Sequence, residues 1–217
     1  MCPKYDAVCG LLLLLFRQHA RRQPDPTFCF LALICFCSTA MKMKEMDKPI
    51  EGSYPVSRNV FAGEHPLFDI YKRSARGNIP ALLRFGITIF LDLTQSYEAP
   101  AYESFLPSGV ERISFPIRNC DVPASVDSVI GLFRRVEQLL QEHPRAKLYI
   151  HCHGGVGRTG TIVACYYIYF EHLSFEEALD KMRQQYALSP RSKIMNAPET
   201  KRQIEFVKMF TNIGTVV

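Results

Sequence analysis

One glycine-rich stretch gathers the residues best suited to chemistry: His151-Cys152-His153-Gly154-Gly155-Val156-Gly157-Arg158-Thr159-Gly160. Its glycines let the backbone curl, so that successive N–H groups from His153 through Gly154, Gly155, Val156 and Gly157 to Arg158 point into one concavity. At the positive end of a helix such a nest binds a dianion. Arg158 adds a planar fork of donors that matches phosphate oxygens bidentately. Cys152 sits at the base of the nest, where aligned N–H dipoles and a guanidinium favour the thiolate, the nucleophilic form of the side chain. One loop thus supplies a nucleophile together with stabilisation of a charged oxygen.

Such a loop has to be held between a strand and a helix, and the flanking sequence provides both. Lys147–Ile150 is a short apolar strand, and Thr161–Phe170 is apolar all round, as a central buried helix would be. Upstream, Val60–Ala62 reads as an edge strand after an irregular lead-in from Pro49 to Pro55. Helical stretches follow from Pro66 to about Arg84, broken at Gly77-Asn78 and stopped at Gly86. Ile87–Leu93 and Val110–Phe115 read as further strands around a surface loop. Ser125 caps an amphipathic helix carrying Val126, Val129, Ile130, Phe133, Val136 and Leu140 on one face, ended by His143-Pro144. Ser174 and Glu177 form a capping box for another helix, and a last one runs from about Pro198 to Phe210. This alternation predicts an α/β domain with a central, mainly parallel sheet flanked by helices. Ligands bind beyond the carboxyl ends of such strands, where the segment after Ile150 lies.

The pattern His-Cys, five residues, then Arg-Thr resembles the signature of the protein tyrosine phosphatase superfamily. The loop is most similar to those of its cysteine-based dual-specificity and kinase-associated branch. The likeness runs from about Val56 to Val207, through Val60–Glu64, Phe90–Thr94, Phe115–Arg118 and Pro198-Glu-Thr. It implies the cysteine-phosphatase fold and a two-step reaction through a phosphocysteine at Cys152. It also implies that Arg158 clamps the phosphate, that Thr159 donates its hydroxyl to the sulfur, and that His151 supports the loop backbone. In relatives an Asp before the Ser125 helix protonates the leaving oxygen. Counted from Pro123, that position is Asn119 here, which carries no carboxylic proton, and Asp121 is the expected substitute. Glu199 and Gln203 match a loop that borders the site and orients water, or simply start a helix.

Other chemistries fit less well. Neighbouring residues on an extended chain face opposite ways, so His151, Cys152 and His153 chelate a metal poorly. No Gly-Lys-Ser/Thr follows the glycines, as a nucleotide-binding Walker loop would need. No CxxC pair supports structural zinc. No metal or other cofactor is expected. Cys165 reads as core, and Cys120, beside the acid loop, as a passive residue or a redox partner of Cys152. The favoured substrate is phosphotyrosine on protein, with phosphoserine and phosphothreonine admitted. A phosphoinositide or RNA 5′-phosphate, or binding of phosphate groups with weak turnover, are the rivals.

The 217 residues carry a formal charge of +5, spread without the basic run and interleaved aromatics of a nucleic-acid surface. No nucleic-acid partner is expected, and the domain is expected to work as a monomer on phosphorylated proteins. Five of the 8 cysteines, Cys2, Cys9, Cys29, Cys35 and Cys37, precede the domain; the few others suit a reducing cytoplasmic or nuclear compartment. Residues 1–48 form an N-terminal extension, and 49–217 the phosphatase domain. The extension holds two apolar runs, Leu11–Phe16 and Phe28–Cys37, each short of the ~20 residues that span a bilayer. They are read as an upstream addition ahead of Met41 or Met43, a membrane-surface or targeting segment, or part of the core.

Overall fold

The computed structural model describes residues 48–68 and 77–214. The apolar runs of the extension and part of the predicted helical stretch after Pro66 lie outside the described residues.

Five strands form one mixed sheet: β1 (Ser53–Ser57), β2 (Val60–Gly63), β3 (Ile87–Asp92), β4 (Glu111–Ser114) and β5 (Lys147–His151). Their order is β1-β2-β5-β3-β4, with β1 antiparallel to β2 and every other pairing parallel. The predicted lead-in therefore contains a strand, and Val60–Ala62 is an inner strand rather than an edge. Proline removes a ladder donor, so Pro55 is tolerable because β1 lies at the edge, where its register slips between Pro55 and Ser57.

The helices start and stop where local chemistry dictates. α1 (Ile79–Phe85) ends at Gly86, whose φ of +95° lets its N–H reach back to Leu82 and Leu83 carbonyls. α2 (Val126–Glu142) begins at a reciprocal box between Ser125 and Ser128, a cap of the kind that contributes about 1 kcal/mol. α3 (Gly157–Glu171) is the buried central helix, and α4 (Phe175–Tyr186) starts at the box between Ser174 and Glu177. α5 (Lys201–Gly214) begins three residues later than the sequence suggests, after a cis Ala197–Pro198 bond.

Strand alternation divides the core between the two faces. Leu148 and Ile150 of β5 join Leu91, Val129, Phe133, Ile162, Val163 and Phe210 beneath the four later helices. Tyr149, between them, faces the other way, onto Phe61, Leu82, Phe90 and Tyr102. Apolar burial of this extent is the main stabilising force, and it fixes β5 and α3 with the loop between them. Among the described residues no helix is long and apolar enough to cross a membrane.

Candidate active site

The glycine-rich stretch spans the last residue of β5, a loop over 152–156 and the first turn of α3. Gly155 has a φ of +70°, and a Cβ there would stand 2.3 Å from the carbonyl carbon of Gly63. The loop consequently lies directly on the end of β2. The Gly155 N–H donates to Cys152 Sγ across 3.2 Å, and Cys152 is buried. No side chain caps α3, so its first amides are left for a ligand. Arg158, buried, is fixed by three residues on two segments. Its Nη1 donates to Ile117 O at 2.9 Å and to Glu98 Oε2 at 2.5 Å, and its Nη2 to Asn119 Oδ1 at 3.1 Å.

These groups surround a cleft of about 390 Å³. His153, Gly154, Val156 and Gly157 line it with Cys152 and Arg158. Gly155 does not, because its turn backs onto β2. Thr159 differs from expectation as well. Its Oγ1 is buried without a hydrogen-bond partner, so the donation to sulfur is not made.

His151 anchors the loop from below. The Cys152 carbonyl can only accept, so Nδ1, 3.3 Å from it, carries the proton, and Nε2 accepts from the Tyr102 hydroxyl at 2.7 Å. Burial holds the ring's pKa down to about 4, although the Asp92 carboxylate pulls the other way. His65, packed edge-on against it, is lowered to about 3, again chiefly by burial and then by His151. Burial pushes Asp92 up, but the field of His151 and hydrogen bonds from Thr94 and Arg112, two from each, bring it below its ordinary range. His65, Asp92 and His151 are close enough to share a cation. Arg112, 2.8 Å from Asp92, already supplies the positive charge, and both His151 nitrogens are engaged, so the cluster is a hydrogen-bond network.

The expected acid is displaced. Asp121 does not line the cleft; its Oδ1 accepts from Val122 N at 2.8 Å and pairs with Arg202 at 2.9 Å. Cys120 between it and Asn119 has a φ of +58°, and this reversal turns Asn119 towards Arg158 and Asp121 away. The carboxylates that do line the cleft are Glu98 and Glu199. Glu98 belongs to the segment after β3, beyond a strand's carboxyl end, the one signal that would have pointed to it. Glu199 Oε2 would lie 2.9 Å from a Cβ on Gly157, so the bare glycine admits the carboxylate to the loop. Cys120 is exposed and lines the cleft, whereas Cys165 is fully buried and its thiol is pushed up by desolvation.

Fold and site together define a phosphatase domain of the protein tyrosine phosphatase superfamily, dual-specificity branch. Residues 68–207 match the family described as "PTP-SAK: Swiss Army Knife protein, DSP-PTPase phosphatase domain", and the chain belongs to it. Protein tyrosine phosphatase domain-containing protein 1 of Bos taurus is 24% identical over 193 residues, covering 82% of this chain but only 22% of its own length. The chain thus spans about a fifth of that relative. Among solved structures, Tk-PTP in its active form is similar with a TM-score of 0.60 and 26% identity, over 75% of this chain and 97% of that one. Kinase-associated phosphatase shares the fold with a TM-score of 0.59 and 20% identity, over 76% and 96%.

Proposed function

We propose that this chain hydrolyses phosphate monoesters, foremost phosphotyrosine on proteins, through a phosphocysteine at Cys152. The observation that carries the reading is the placement of Cys152, Arg158 and the uncapped start of α3 around one cleft. Thiolate attack forms the S–P bond while the P–O ester bond breaks, and the leaving oxygen takes a proton from a carboxylic acid. Water then attacks phosphorus and gives its proton to the same carboxylate. The S–P bond breaks, and phosphate and thiolate are restored. Arg158 and the loop amides neutralise the three equatorial oxygens throughout.

Glu199 takes the acid role in this reading. It lines the cleft against Gly157, whereas Glu98 is engaged by Arg158 and Asp121 by Arg202. Cytoplasmic work on phosphorylated proteins, as a monomer, belongs to the same proposal. The test is turnover of the full chain on phosphotyrosyl, phosphoseryl and phosphothreonyl peptides, set against inositol phosphates and RNA 5′-phosphates. Phosphate release from the tyrosyl peptides with trapping of radiolabelled phosphate on Cys152 is expected. Preferred release from either rival substrate would replace the protein assignment.

A further inference from the structure

A second guanidinium stands in the same cleft. Arg191, in the 3-10 turn Pro190–Lys193 after α4, lines it beside His153 and Gly154. A Cβ on Gly154 would stand 3.6 Å from Arg191 Nη1, so the side chain reaches the nucleophile loop itself. Two residues hold it there. Nε lies 3.5 Å from Glu64 Oε2, and the guanidinium carbon lies 4.7 Å from the centre of the Phe68 ring. That ring in turn meets His153 edge-on, with centroids 4.9 Å apart. Arg191, Phe68 and His153 thus form a fixed shelf beside the Cys152 loop.

The fork itself is incompletely matched. Nη2 of Arg191 is buried and has no hydrogen-bond partner. An unpaired buried donor on a charged group is costly, and native structures rarely keep one without a use. Glu64 meets the guanidinium only through Nε and at the limit of a hydrogen bond, which orients the fork without saturating it. Glu98 places a carboxylate in the cleft against Arg158, so an anion attracted there has to interact strongly with cations. A phosphate dianion gains about twice the Coulomb energy of a carboxylate at equal distance, and its oxygens match a guanidinium fork.

We propose that Arg191 forms a second anion subsite, which takes a further phosphoryl group on the same substrate, beside the phosphate held at Cys152. The proposal rests on the phosphatase reading for what the first site binds. It makes bisphosphorylated molecules the preferred substrates over their monophosphorylated counterparts.

Calorimetry on the full chain separates the two readings because it needs no turnover. Inorganic phosphate is compared with pyrophosphate, and a phosphotyrosyl peptide with the same peptide carrying a second phosphate on a neighbouring residue. At least one probe with two phosphoryl groups is expected to bind about ten-fold tighter than its partner with one. Arg191→Met is expected to abolish that ratio, and Arg191→Lys to keep part of it, which excludes misfolding as the cause. A gain with pyrophosphate alone places the second phosphoryl group directly on the first; a gain with the peptide alone places it on a neighbouring residue. Equal affinities in both pairs, or a ratio that survives Arg191→Met, would overturn the subsite. If binding behaves as expected while no ester is hydrolysed, the subsite stands and the hydrolytic reading falls.

Discussion

The buried amide of Gln203 donates from Nε2 to the backbone carbonyl of Asp121 across 3.1 Å. Its Oε1 accepts the N–H groups of Glu199 and Thr200 at 3.0 and 3.1 Å. One side chain at the start of α5 therefore ties the segment before α2 to the segment that carries Glu199. Neither segment has regular structure of its own, so their mutual position depends on this amide.

Gln203→Leu removes all three bonds while keeping the volume. We expect a loss of about 1–3 kcal/mol in stability, because three partly buried backbone groups lose their partner. We also expect a fall in kcat larger than the change in KM, since the carboxylate shifts and the phosphate loop does not. Equilibrium urea unfolding and steady-state kinetics read the two effects. Unaltered stability would show that the bonds are replaced locally.

Glu199→Gln should slow phosphotyrosyl peptide hydrolysis by roughly 10²–10⁴-fold and reduce it much less for an aryl ester with a good leaving group, which needs little proton donation. The limb of the pH–rate profile that reports the protonated acid should vanish with it. Asp121→Asn should leave that limb in place. The reverse pattern would return the acid to Asp121, and Asn119→Asp would raise the rate only if neither residue serves.

Cys152→Ser should suppress turnover by on the order of 10³-fold or more while retaining phosphate binding, because the amide nest and Arg158 do not need sulfur. Isothermal titration with phosphate, beside an activity assay, checks both halves. Full activity in this variant would exclude the phosphocysteine route.

Acid should unfold the domain through its buried imidazoles. His65 and His151 are held at about 3 and about 4, below the ~6.5 of an exposed histidine. As pH falls from about 6.5 towards 4, the unfolded chain binds protons that the folded one refuses, so stability declines across that window and is regained on the way up. Urea midpoints at pH 7.5, 6 and 5 should fall in sequence. His65→Gln should flatten the trend; an unchanged slope in that variant would place the linkage elsewhere.

The Cys152–Arg158 loop was legible because its chemistry is local: glycines, a strand before and a helix after. The same holds for α2 and α4, whose caps at Ser125 and Ser174 are written in four residues each. β1 was missed because Pro55 and the irregular register hide its alternation. The direction in which Asp121 points was not legible for a different reason. Nearness in sequence does not set direction, and the left-handed backbone at Cys120 reverses the chain between Asn119 and Asp121. Glu98 and Arg191 reach the cleft from segments that lie 54 residues before Cys152 and 39 after it, and only the assembled sheet brings them together.

The bare contact between Gly155 and Gly63 has a consequence for how the protein can vary. A methyl group on Gly155 would meet the Gly63 carbonyl, and one on Gly63 would stand 2.5 Å from the Tyr149 hydroxyl and 2.6 Å from the Gly52 carbonyl. Three stretches of main chain are stacked here at a spacing that no side chain permits. Random mutagenesis scored for activity should therefore find an intolerant position at Gly63, on a strand that presents no reactive group. An inherited defect at such a site would look unrelated to catalysis on a sequence map, yet would act by lifting the nucleophile loop off the sheet.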